Sequence, residues 1–163
     1  AYSLFAALFS IVLTRIANRL GRKLTYSLAL LAGGIGYISF LFFQNAEIVH
    51  VNLLVTQVDV PRGALNLLIP MLGIGIAWAA ILAMPYAILS SSLPADKTGV
   101  YMGIFNFTIA APQIVSGLVA GQILKYVFDN QAIYIIVLAG VCMILGAMSV
   151  YFVQDNGDAE VKA

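Results

Sequence analysis

The acidic and basic residues of this chain are confined to a few short stretches. No Asp, Glu, Lys or Arg occurs in 1–14, 24–46, 63–95, 98–124 or 130–154, which together hold 122 of the 163 residues. A helix crossing the hydrocarbon core needs roughly 20 apolar residues. Four windows are long enough for that and the first is not. A soluble domain carries about 25% charged residues to coat its surface, whereas this chain has 9%, with 62% hydrophobic. The pattern therefore points to an all-α membrane protein and away from a soluble helical bundle. A cleavable signal peptide does not explain it, because apolar windows recur to the end of the chain.

Backbone groups in lipid must be satisfied within the segment, so each window is expected to be a helix. The expected helices are about 1–17, 23–43, 66–92, 99–125 and 131–153. Gly33, Gly34, Gly36, Gly73, Gly75, Gly103, Gly117, Gly121, Gly140 and Gly146 fall inside them. In a bilayer small residues let helices approach closely, and Gly117 with Gly121 has G-x-x-x-G spacing. Between the second and third helices lies the longest connection, 44–65. There Val49, Val51 and Leu53 alternate with His50 and Asn52, which predicts a short extended piece.

Arg15, Arg19, Arg22 and Lys23 cluster in the first connection, half of the eight basic residues. An excess of Lys and Arg marks a cytoplasmic loop. Counting crossings from it puts 44–65 outside, 93–98 inside, 126–130 outside and the tail 154–163 in the cytoplasm. The expected location is a plasma or bacterial inner membrane, spanned several times.

Several chemistries find no support. Cys142 is the sole cysteine and His50 the sole histidine, so neither a disulfide framework nor a metal cluster is expected. No cofactor is implied. No basic stripe with interleaved aromatics suggests nucleic acid. An intramembrane enzyme needs a nucleophile with a base or paired carboxylates. The histidine is in a connection and no two carboxylates share a helix face, so an enzyme is not expected.

Asn18-Arg19-Leu20-Gly21-Arg22-Lys23 resembles the D-R-x-G-R-[RK] loop signature of the major facilitator superfamily. Asn18 replaces the Asp, and Thr14 stands where the family often has Gly. That decay resembles the family's second copy of the signature, between helices eight and nine. On this resemblance the five helices correspond to helices 8–12 of a twelve-helix fold, a partial C-terminal six-helix bundle. The odd number of spans, the short first window and the lack of an initiator Met carry the same expectation of a fragment, whose N-terminal helices would be partners.

Met84-Pro85-Tyr86-Ala87-Ile88-Leu89-Ser90, then Gly99-Val100-Tyr101-Met102-Gly103-Ile104-Phe105-Asn106, then Pro112-Gln113, are similar to the sucrose and maltose transporter branch. That branch has P-Y-A-x-x-S, G-x-Y-M-G-x-x-N and P-Q in sequence. The resemblance implies a proton-coupled glycoside symporter working by alternating access, with a sugar and a proton as partners in a lipid bilayer. A proton-driven exporter of another small molecule and a non-transporting structural subunit remain as alternatives.

A sugar presents hydroxyls and an apolar ring face, so its site needs amides or hydroxyls beside aromatic surface. Trp78, Asn106 and Gln113 are the expected substrate contacts. Asn106 and Gln113 are seven residues apart, close to two turns, and so share a helix face. Each has a structural alternative: Trp78 as packing, the amides as interhelical hydrogen bonds. Asn18, Arg19, Gly21, Arg22, Lys23, Pro85, Tyr86 and Pro112 are expected to serve gating or conformational change. The prolines each remove a helical hydrogen bond. No Asp, Glu, His, Lys or Arg is expected inside a helix core, so a proton carrier is expected in helices outside this chain.

Overall fold

The computed structural model describes residues 2–43, 48–53, 56–61, 66–90, 93 and 97–153. Five helices run through them: α1 (Tyr2–Leu20), α2 (Arg22–Ser39), α3 (Leu68–Ser90), α4 (Thr98–Tyr126) and α5 (Ala132–Ser149). Single 3-10 turns, Phe40–Phe42 and Val150–Phe152, extend α2 and α5. With those turns, all five helices are long and apolar enough to cross a membrane. The α1 helix continues to Leu20, beyond the expected end at 17. The tail 154–163, expected in the cytoplasm, lies outside the described residues.

The extended piece expected near 49–53 is one strand of a hairpin. β1 (Ile48–Leu53) pairs antiparallel with β2 (Thr56–Pro61), Ile48 opposite Pro61 and Leu53 opposite Thr56. It occupies the connection between α2 and α3, so it adds strands to a protein whose spanning part is entirely helical.

The centre of the bundle is α2, packed against α3 on one side and α5 on another, with α1 on α3. The glycines of α2 explain how it serves two neighbours. A Cβ at Gly36 would sit 2.7 Å from the Pro70 carbonyl on α3. One at Gly34 would sit 2.8 Å from the Gly140 carbonyl on α5, and Gly140 has the reciprocal relation. These backbones approach as closely as small-residue interfaces in lipid allow. Ser27 adds a hydrogen bond from its Oγ to the Ala147 carbonyl, 3.0 Å away and buried.

One apolar core joins Leu13 and Ala17 of α1, Ala29 of α2, and Ala79, Ala80 and Met84 of α3. A second joins Leu30 with Ala147 and Val150. α4 stands apart from both and has no buried residue. At Gly117 and Gly121, whose spacing suggests helix packing, a Cβ would meet nothing within 4 Å among the described residues. The reason is that α4 makes few contacts with the other described helices. It also continues through Pro112, as α3 does through Pro85.

Candidate functional site

The basic loop folds into a one-residue turn. Gly21 separates α1 from α2 with φ 88° and ψ 154°, a conformation costly for any residue with a Cβ. Its N–H donates to the Ala17 carbonyl at 3.0 Å, and its own carbonyl accepts from Thr25 Oγ1 at 2.8 Å. The glycine of the signature is therefore required by backbone geometry.

The turn aims its two following cations at other helix ends. Arg22 Nη1 donates to the Ala87 carbonyl at 3.0 Å, and Ser90 Oγ donates to the same oxygen at 3.1 Å. Ala87 carries one of the last four carbonyls of α3, which have no partner within the helix. Lys23 Nζ donates to the Tyr151 carbonyl at 3.3 Å, in the 3-10 turn that ends α5. Cations at helix C-termini also complement the helix dipole. Thus the start of α2 holds the ends of α3 and α5 at one end of the bundle. Asn18 and Arg19 lie exposed on α1, beside Arg15, Val12 and Ile16.

At that same basic end α3 also reaches α4. Tyr86 Oη donates to Asn106 Oδ1 at 2.5 Å, and the Tyr86 ring meets Phe105 edge-on, centroids 5.2 Å apart. Residues 86 and 87 thereby join α3 to α4 and to the α1–α2 turn. Below them a cavity of about 320 Å³ is bordered by Tyr26, Pro85, Ile88, Phe105 and Val150.

Trp78 is elsewhere. It is 38% exposed near the middle of α3 and lines an open groove of about 490 Å³ between α1 and α3. Ser3, Ala6, Ala7 and Ser10 of α1 form one wall, and Ala79, Leu82 and Ala83 continue the other. Ser10 Oγ donates to the Ala7 carbonyl at 2.7 Å, which leaves its oxygen able to accept. The alanines keep the groove wide beside the indole.

The three expected substrate residues are thus not gathered at one place. Trp78 faces the α1–α3 groove, Asn106 is engaged by Tyr86, and Gln113 is exposed on α4. Ser3 and Ser10 were legible only as a seven-residue repeat of small polar residues on an apolar helix. Among the described residues no group of His, Cys, Asp and Glu could hold a metal ion. No carboxylate or histidine occurs within any of the five helices.

Comparison with curated proteins gives no match, and comparison with solved structures gives none. The family comparison does: residues 1–163 match the Major Facilitator Superfamily. The glycine turn, the cations on helix ends and the five spanning helices agree with that match. The members of this family are membrane transporters, and the chain belongs to the major facilitator superfamily.

Proposed function

We propose that the protein carries a sugar across the membrane together with a proton, by alternating access, and that the α1–α3 groove forms one wall of the sugar path. The observation that carries this reading is Trp78, half-exposed at mid-helix between Ser3, Ser10 and a floor of alanines. An indole offers a flat apolar surface to a pyranose ring, and hydroxyls can match sugar hydroxyls. A Trp at this depth is away from the interfacial belts where the residue is usually found.

The basic end suits a gate. There Tyr86 with Asn106 joins α3 to α4, and Arg22 with Ala87 joins α3 to the α1–α2 turn. Hinged or rocking elements that separate at one end give access to that side. The five helices contain no carboxylate or histidine. A coupling proton therefore has its carrier outside them, since such carriers are titratable groups set within the membrane.

The test is uptake of radiolabelled disaccharide by the full-length protein in sealed vesicles, with and without an inward pH gradient. Accumulation driven by the gradient supports the proposal, and no uptake under either condition overturns it. A second reading has its own observation: apart from two serines, the groove is lined by apolar side chains. An amphipathic cargo exported against protons would suit that lining. Proton-driven extrusion of an aromatic cation, with no sugar uptake, would select it.

A further inference from the structure

The side of α1 that turns away from the bundle changes character along its length. Leu4, Leu8, Ile11 and Val12 follow the i, i+4, i+7, i+8 spacing of one helix face. All four are exposed, Leu4 and Ile11 at 65%. Arg15 and Arg19 continue the same row towards the basic end. Leu13 and Ala17, through which α1 joins the apolar core, lie on the opposite side of the helix. Ser3 and Ser10, which wall the Trp78 groove, occupy a third side. The row is therefore separate from both the packing and the proposed sugar path.

The two arginines are used differently from the cations that follow them. Arg22 and Lys23 donate to carbonyls of α3 and α5. Arg15 and Arg19 are exposed, and among the described residues neither guanidinium has a hydrogen-bond or ion-pair partner. They are one turn apart, with Cβ atoms about 6 Å from each other, so both side chains reach one anion. With Val12, Ile16 and Asn18 they border an open depression of about 400 Å³. A guanidinium fork matches phosphate oxygens, and its apolar stem lies along apolar surface while the charge stays at the polar level. From Leu4 to Arg15 the helix rises about 16 Å, about one leaflet of a hydrocarbon core roughly 30 Å thick. An acyl chain fits that length. A free anion would use the arginines and leave the apolar row without a role.

We infer that this face of α1 is a binding site for an anionic phospholipid, its phosphate held by Arg15 and Arg19 and its acyl chain laid along Leu4, Leu8 and Ile11. Two cations without a carboxylate beside them favour a headgroup of net negative charge over a zwitterionic one. The site lies within two turns of Gly21, so the lipid holds the α1 end from outside while Arg22 holds the α3 end from within. This inference stands independently of the transported substrate.

Fluorescence quenching in the full-length protein, reconstituted in phosphatidylcholine vesicles, tests it. Leu8→Cys carries a bimane label in a background lacking other reactive cysteines, Cys142→Ala included. Phosphatidylglycerol or phosphatidylcholine with a nitroxide on the acyl chain is then mixed in. The phosphatidylglycerol is expected to reach half-maximal quenching at a several-fold lower mole fraction than the phosphatidylcholine. Arg15→Gln with Arg19→Gln should erase the difference, and Arg15→Lys with Arg19→Lys should keep part of it. Lys97→Gln, which removes an exposed charge beside the start of α4, should leave it unchanged. Equal quenching by the two lipids overturns the inference, as does a preference that survives the double glutamine variant. Equal loss with Lys97→Gln also overturns it, because the attraction is then diffuse. Absence of quenching by either lipid does the same, because protein then covers this face. Inorganic phosphate at constant ionic strength should not weaken the preference; if it does, the arginines hold a free anion and the lipid assignment is wrong. Where the double glutamine variant does not fold, the two single variants carry the same comparison.

Discussion

Arg22 and Ala87 are 65 residues apart in sequence, and the guanidinium of the first donates to the carbonyl of the second at 3.0 Å. The bond ties the turn between α1 and α2 to the open end of α3. An ionised donor on a helix-terminal carbonyl is worth about 1–2 kcal/mol when partly buried. Arg22→Ala is therefore expected to lower the thermal unfolding midpoint of the purified protein, and Arg22→Lys to restore part of the loss. Equal stability of Arg22→Ala and wild type would remove the role of this bond.

Tyr86 and Asn106 make a contact of another kind, between two side chains on helices that otherwise meet little. Interhelical hydrogen bonds in membrane proteins average about 0.6 kcal/mol in double-mutant cycles. Tyr86→Phe keeps the edge-on contact with Phe105 and loses only the hydroxyl. A cycle of Tyr86→Phe with Asn106→Ala should give a coupling near that size. If the pair gates the basic end, each variant should change transport rate more than it changes stability. A coupling of zero would mean that the two side chains do not meet in the membrane.

Gly34 and Gly146 separate close packing from mere helix composition. A methyl at Gly34 falls 2.8 Å from a backbone oxygen of α5, whereas one at Gly146 has its nearest neighbour at 3.9 Å. Overpacking costs roughly 1–3 kcal/mol where the neighbour is backbone and cannot give way. Gly34→Ala should destabilise the bundle by that order, and Gly146→Ala should be close to neutral. Similar midpoints for the two variants in a thermal unfolding series would contradict the packing described for α2.

Trp78→Ala tests the groove. Aromatic stacking contributes about 0.5–1.5 kcal/mol beyond area burial, so loss of the indole should raise the KM for a sugar roughly 3–10-fold. Trp78→Phe should lie between. A change in maximal rate alone, with KM untouched in both variants, would assign Trp78 to packing.

The spans were legible because lipid admits few solutions: long charge-free windows must be helices, although α1 runs past Arg15 and Arg19 to Leu20. The hairpin was half legible, since the alternation from Val49 to Leu53 was read as extended, while its partner strand, which ends at Pro61, was not. Gly21, Arg22 and Lys23 were legible as a motif, because a turn with positive φ and cations beside it have strong local requirements. What they bind was not. The acceptors are the carbonyls of Ala87 and Tyr151, and a backbone carbonyl leaves no mark in the sequence.

The sequence by itself therefore determined the solvent, the number of spans and the place of the basic turn. Each follows from transfer free energies and local backbone geometry, which act residue by residue. Tertiary structure decided what each expected residue meets: Trp78 the α1–α3 groove, Asn106 the Tyr86 hydroxyl, and Gln113 an exposed face of α4. It also decided how the glycines are used: Gly34 and Gly140 meet across an interface, while Gly117 and Gly121, with the better-known spacing, have no neighbour within 4 Å among the described residues. Spacing along one helix fixes which residues share a face. Only the packing of a second helix fixes what that face meets.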